Sequence, residues 1–202
     1  MARAKKKTGR GSLIELVTIV AVALGLALGI QAFLVKPFRI PSESMEPTLD
    51  VGQRVLVNRV SKNFGNYDRG DILVFKPPLG ADQNACGVRH SGQTSCPRPT
   101  SRRSDTNFIK RVVAVGGDRL KVVKGHVYID GKVQKEPFIR PSAQCGLCDL
   151  PREITIPKGY YFMMGDNRGE SADSREWGPI PKKWVIGQAF ATYWPPKRIG
   201  IF

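Results

Sequence analysis

The pattern of apolar and polar positions divides the chain in two. From Leu13 to Val35 it reads LIELVTIVAVALGLALGIQAFLV, 23 residues with a single charge, Glu15, close to the start. The run is apolar on all sides, which sets it apart from the amphipathic surface helix of a soluble domain. At about 1.5 Å per residue a helix of this length spans roughly 35 Å, enough for a bilayer core of about 30 Å. The pattern therefore predicts a single N-terminal transmembrane helix over 13–35. After Lys36-Pro37 the composition changes to β-type, with short apolar stretches of which Arg54–Asn58 alternates with period two. Strands are expected at Arg54–Asn58, Asp71–Phe75, Phe108–Val115 and Leu120–Val123, with others at Val127–Ile129, from Val133, at Glu153–Ile156, Tyr160–Met164 and Gly187–Tyr193. Lys124-Gly125 and Asp130-Gly131 read as tight hairpin turns. No amphipathic helix of ten residues or more is expected after residue 36. Short strands with frequent Gly and Pro predict a mostly β domain over 36–202: an antiparallel sheet, sandwich or partly open barrel.

Charge refines this picture. The chain has 32 Lys and Arg against 17 Asp and Glu, a net charge of +15. Residues 1–12 carry Arg3, Lys5, Lys6, Lys7 and Arg10 and no acid, a basic tail expected to be disordered. By the positive-inside rule this tail lies in the cytoplasm and residues 36–202 lie outside. The alternative is a cleaved secretory signal peptide, whose apolar core is usually shorter; the remainder is exported on either reading. The other bases are scattered, and no helix-turn-helix, zinc-finger or aromatic-interleaved basic pattern accompanies them. The charge thus points to anionic membrane lipids and away from nucleic acid.

Residues 80–106 are polar, rich in turn formers and poor in β-branched residues, and read as a surface excursion from the strand ending near Phe75. This stretch holds Cys86 and Cys96, and a second Pro-rich loop holds Cys145 and Cys148. Four cysteines in exported loops favour two local disulfides, Cys86–Cys96 and Cys145–Cys148, with one zinc held by all four as the alternative. The two histidines, His90 and His126, lie far apart and far from the cysteines. That argues against a metal site built on imidazole and against a Ser-His-Asp triad.

A nucleophilic serine without histidine needs another base, and a neutral lysine can serve. Lysine ionises near 10.4 in water, so it must be desolvated to be neutral near pH 7–8. Lys110 fits: by period two it shares a strand face with Phe108 and Val112, while Arg111 faces the other way with Ile109 and Val113. Ser42 and Ser44 lie between Pro41 and Pro47, in a segment that cannot be helix interior. A third polar stretch, 164–178, offers Asp173 and Arg175 as an ion pair and Ser171 to hold an amine in place.

These stretches, in this order behind a membrane anchor, closely resemble the bacterial type I signal peptidases, the serine-lysine leader peptidases. The matching segments are Phe38-Arg-Ile-Pro-Ser-Glu-Ser-Met-Glu-Pro-Thr-Leu49, Arg69-Gly-Asp-Ile-Leu-Val-Phe75, Phe108-Ile-Lys-Arg-Val-Val-Ala-Val-Gly-Gly-Asp118 and Gly165-Asp-Asn-Arg-Gly-Glu-Ser-Ala-Asp-Ser-Arg-Glu-Trp-Gly178. The resemblance implies a coiled, mostly antiparallel β catalytic domain beside the bacterial cytoplasmic membrane. It implies a serine endopeptidase that removes signal peptides from exported pre-proteins after small-x-small sites such as Ala-x-Ala, working beside the export machinery without cofactor or metal. By position, Ser44 is the implied nucleophile and Lys110 its base, with Ser42 and the Ser44 N–H forming the oxyanion hole. Ser171 is the implied guide of the lysine amine, and Asp173 and Arg175 the bracing pair. Ile40, Met45, Ile109 and Ala172 are the implied walls of shallow substrate pockets. Two departures are visible. Glu43 stands where the family often has glycine, and Gly169-Glu170 stands in place of a more usual Asp-Asn. Strand alternation would point Glu43 away from Ser44. A dedicated protease for one conjugative or pilin-like substrate, and a non-catalytic membrane-anchored binding domain, stay open as alternatives.

Overall fold

The computed structural model describes residues 9–60, 65–83, 85–89, 96–140 and 149–202, with side chains throughout except at 9–12, 30–33 and 151. The chain opens with a helix, α1, Gly9–Phe33. It starts earlier than the apolar run and stops sooner, because Val35 already opens strand β1, Val35–Arg39. Pro37 explains the early stop: the residue before a proline is driven to extended geometry. Pro37 is tolerated in β1 because this strand lies at the sheet edge and pairs only with β2. Among the described residues no helix is long and apolar enough to cross a membrane.

Two antiparallel sheets follow. The larger runs β1-β2-β11-β3-β4-β9-β10, with β12 added to β11. Its members after β1 are β2 (Arg54–Asn58), β3 (Ile72–Phe75), β4 (Phe108–Val115), β9 (Tyr160–Met164), β10 (Ile180–Pro181), β11 (Val185–Trp194) and β12 (Gly200–Ile201). The smaller sheet runs β7-β6-β5-β8, from β5 (Arg119–Val123), β6 (His126–Ile129), β7 (Lys132–Val133) and β8 (Leu150–Thr155). The pattern of short apolar runs between turn formers thus located the main strands. The two-residue strands β10 and β12 and the edge strand β1 escaped it, being too short or too close to the helix to show a period. Lys124-Gly125 and Asp130-Gly131 both adopt the left-handed φ values that two-residue hairpins need, between β5 and β6 and between β6 and β7.

Period two sorts the side chains into separate cores. In β3, Leu73 and Phe75 join a cluster with Val112, Tyr161, Met163 and Trp177, while Ile72 and Val74 join Ile40, Met45, Leu49 and Ile109. In β9, Tyr161 and Met163 face the first cluster, whereas Phe162 and Met164 face a third, shared with the smaller sheet. A bulge between Val112 and Ala114 shifts β4 by one residue, so Val113 and Ala114 both face that third cluster. Up to the bulge, β4 obeys alternation: Lys110 lies in register with Leu73 and on the side of Phe108 and Val112. The sheet is covered on both faces here, so Arg111 is as buried as Lys110 instead of facing water.

The excursion 80–106 is not wholly at the surface. Ala81 and Cys96 are buried, and Cys86 and Cys96 form a disulfide. The Cys96 carbonyl lies against Gly178, where any Cβ would collide with it. Cys145, Cys148 and His90 lie outside the described residues.

Candidate active site

Ser44 is carried on a single 3-10 turn, Glu43–Met45, between β1 and β2. The two prolines exclude a helix interior but leave room for one tight turn. The turn is anchored from below by Met45 and Leu49, both fully buried. Met45 therefore belongs to the core rather than to the wall of a substrate cavity. Ser42 precedes the turn in extended geometry, and its Oγ lies 3.3 Å from Ser44 Oγ.

Lys110 reaches the same point from β4, 66 residues away, with Nζ 2.5 Å from Ser44 Oγ. Ser44 and Lys110 are each 5 % exposed. The Phe108 ring lies 5.7 Å from Nζ. Among the described residues no carboxylate comes within ion-pair distance of the amine. Burial is the main influence on its ionisation. Asp173, Asp166 and Glu176 favour the charged form at longer range and Arg175 opposes it, and the outcome is a lysine pulled down to about 8. Glu43 is exposed and is not among the charges acting on the amine. Its side chain is directed by the turn, not by strand alternation, and it leaves Lys110 undisturbed.

The third stretch encloses the pair. Strand β9 ends at Met164, opposite Arg111, so Gly165 runs on beside Lys110. A Cβ on Gly165 would collide with the Ser44 carbonyl and the Ser171 hydroxyl, so glycine is what lets the two stretches meet. Asp173 is fully buried, and its carboxylate accepts from Gly165 N (3.0 Å), Ser171 Oγ (2.8 Å) and Arg175 Nε and Nη2 (2.8 Å each). Burial alone would raise the Asp173 pKa, but the Arg175 charge and these bonds hold it below the ordinary carboxylate range. Arg175 also donates to the carbonyls of Arg168 and Ser171. Its brace thus holds the loop as well as the carboxylate. The Ser171 hydroxyl gives its proton to Asp173 and not to the amine, which leaves a lone pair on Ser171 Oγ to accept from an N–H.

A cavity of about 340 Å³ opens over the pair, lined by Pro41, Ser42, Ser44, Asn107, Phe108, Ile109, Lys110, Glu170 and Ala172. A second, of about 280 Å³, continues from it past Ile40, Val74 and Phe38, sharing Pro41, Asn107, Phe108 and Ile109. Ile40, Ile109 and Ala172 therefore line these two cavities, and Met45 lines neither. Asn107, Phe108 and Glu170 are lining residues that sequence reasoning left out; the alternation that placed Phe108 beside Lys110 was the available signal.

Residues 13–194 match the model of the family described as signal peptidase, peptidase S26. The chain is 31 % identical to a probable signal peptidase I-2 of Synechocystis sp., over 99 % of this chain and 82 % of that one. It is 34 % identical to the signal peptidase I of Leptolyngbya laminosa, over 93 % and 83 %, and 38 % identical to a probable signal peptidase I-1 of Synechocystis sp., over 92 % and 85 %. The chain belongs to the signal peptidase family, peptidase S26. It is a serine endopeptidase. A crystal structure of a signal peptidase I from Enterococcus faecalis aligns at 20 % identity with a TM-score of 0.39, over 61 % of this chain and 97 % of that one, a likeness too slight to add to the fold argument. In this peptidase the buried serine and lysine lie inside the matched region and line the cavity of about 340 Å³.

Proposed function

We propose that Ser44 and Lys110 are the nucleophile and general base with which this signal peptidase removes signal peptides from exported proteins. The observation that carries this reading is the 2.5 Å approach of Ser44 Oγ to a buried lysine amine that lacks an ion-pair partner among the described residues. Above a pH of about 8 the amine is neutral and can accept a proton. Lys110 Nζ takes the Ser44 hydroxyl proton as Oγ attacks the scissile carbonyl carbon, and the C=O pair becomes an oxyanion. The Ser44 N–H and the Ser42 hydroxyl receive that charge, each such donor supporting about 3–4 kcal/mol of transition-state stabilisation. The protonated lysine then gives its proton to the leaving amine, and an acyl-serine remains. With the amine neutral again, Lys110 deprotonates a water that releases the signal peptide. Arg175 and Asp173 hold the loop behind the amine, and Ser171 is tied into that loop through its hydrogen bond to Asp173.

Ile40, Ile109 and Ala172 form the apolar lining that would take small side chains at the positions flanking the scissile bond, in keeping with small-x-small sites. The apolar run 13–35, most of it in helix α1, is the proposed single-pass anchor, N-terminus inside and residues 36–202 outside the bacterial cytoplasmic membrane. Its large apolar side chains from Leu13 to Leu28 are 56–67 % exposed on every side, as a lipid-facing helix requires. Thr18 within it donates to the Ile14 carbonyl and so is satisfied inside the helix. Exposed Lys36, three residues past the helix, and exposed Arg39 and Arg54, paired at the far end of β1 and β2, suit anionic headgroups.

The test is cleavage of a synthetic Ala-x-Ala signal-peptide substrate by wild type, Ser44→Ala and Lys110→Ala. Both variants should retain their unfolding transition and lose cleavage; cleavage retained by either one removes the assignment of that residue.

A further inference from the structure

The 3-10 turn under Ser44 receives two hydrogen bonds from one residue outside it. Asn167 N donates to the Ser44 carbonyl (3.1 Å), and Asn167 Nδ2 donates to the Glu43 carbonyl (3.3 Å). The second bond has a geometric consequence. Glu43 C=O and Ser44 N–H belong to one peptide plane, and in a trans peptide they point in opposite directions. Whatever fixes the Glu43 oxygen therefore fixes the direction of the Ser44 N–H. Within the turn, only the Glu46 N–H also grips that oxygen (3.0 Å). A single 3-10 turn is short and poorly restrained on its own, and Ser44 lies too near its start for its N–H to enter the turn's own bonds.

Asn167 is 3 % exposed and held from both sides. The Asp166 carbonyl accepts from Arg140 N (2.8 Å), and Arg168 N donates to the Arg140 carbonyl (3.1 Å). Asn167 is therefore a fixed post against which the turn is registered. The cavity residues touch the reacting groups; Asn167 does not line the cavity and acts only through the turn.

We propose that Asn167 is a positioning residue for the oxyanion hole: by gripping the Glu43 carbonyl it aims the Ser44 N–H at the developing oxyanion. This rests on the reading of Ser44 as nucleophile. Losing the side-chain bond frees the peptide plane to rock without moving Ser44 Oγ from Lys110. The chemical step then suffers and substrate binding does not.

The experiment uses the full chain in detergent micelles and a signal-peptide substrate, with Ser44→Ala in parallel. Asn167→Ala removes the donor; Asn167→Asp keeps the size and the backbone N–H but turns an acceptor toward the Glu43 carbonyl. Expected are a fall in kcat of about 10-fold for Asn167→Ala and more for Asn167→Asp, with KM unchanged and the rate still rising through the same pH. A peptide aldehyde, which forms a tetrahedral adduct with an oxyanion, should lose affinity in step with kcat, while the corresponding peptide alcohol should not. An unchanged aldehyde-to-alcohol ratio, a loss confined to KM, or a shifted pH midpoint overturns the proposal. Unfolding of both variants would assign Asn167 to the fold and overturn it as well. If Ser44→Ala stays active, the nucleophile assignment itself falls; if it is dead while Asn167→Asp is fully active, only the positioning role falls.

Discussion

Lys110 and Arg111 are neighbours on β4, both basic and both buried, 5 % and 8 % exposed, yet the protein treats them in opposite ways. Arg111 turns to the side where Asp166 waits, and its Nε and Nη2 meet the carboxylate at 2.8 and 2.6 Å. Thr48 donates to the same carboxylate at 2.5 Å, Gly70 accepts from Arg111 Nη1, and the Phe138 ring lies 3.8 Å from the guanidinium carbon. Every part of that cation is matched, so it is locked as a charge. Lys110 turns to the apolar side, where it meets a neutral hydroxyl and an aromatic ring and is pulled down to about 8. Burial alone does not make a base. Burial without a counter-ion does, and a strand reversing direction at each residue provides both environments 1 residue apart.

The contrast can be broken most severely at Lys110. Lys110→Arg keeps a cation in place but cannot lose its proton in the working range, so cleavage should fall by more than about 10³-fold while the fold survives. Signal-peptide turnover at pH 9 measures it, and appreciable activity would mean that the neutral amine is not required.

On the other face, Asp166→Ala strands a buried guanidinium and should cost about 3–5 kcal/mol in denaturant unfolding. A loss below about 1 kcal/mol would show that Arg111 is matched by other partners. Replacing both residues with apolar ones of similar volume should recover most of the loss, because no charge is then left uncompensated.

The pH dependence separates the two faces more gently. Lys110 is protonated in folded and unfolded chains alike below about pH 8, so its contribution to stability is flat there. Between about 8 and the unfolded value near 10.4 the unfolded chain binds the extra proton, and stability rises with pH by about 3 kcal/mol in total. Lys110→Met should flatten that window, as unfolding free energies at pH 7.5 and 10 would show. Activity follows the same group, rising about tenfold per pH unit below 8 and levelling above it.

The smallest effect is expected at Glu43. Glu43→Gln should leave the pH midpoint of cleavage unchanged, and a measurable shift would place that carboxylate closer to the amine than its exposed position allows.

Much of the fold was legible before any coordinates. The strands from β2 to β11 that run four residues or longer announce themselves as short apolar or alternating runs between turn formers, and two hairpins by Lys124-Gly125 and Asp130-Gly131. Both signals are local, set by neighbours along the chain. The face of Lys110 followed from the same period. What alternation missed depends on contacts across the chain. The 3-10 turn at Ser44 is held by Asn167, 124 residues from Glu43, and Arg111 is matched by Asp166, 55 residues on. Ser171 was expected to face the amine and donates instead to Asp173, a choice made by the carboxylate buried beside it.

By itself, then, the order of residues determined which segments could be helix, strand or turn, and which side chains share a face. It also brought the serine and lysine into consideration, through the pattern of residues around each. Tertiary structure alone decided that both faces of β4 would be covered. It also decided that Gly165 would admit the Ser44 carbonyl beside Ser171, and that one of two adjacent basic residues would have no counter-ion among the described residues. Those outcomes turn on desolvation and on donors arriving from distant segments, quantities that exist only once the chain has closed around them.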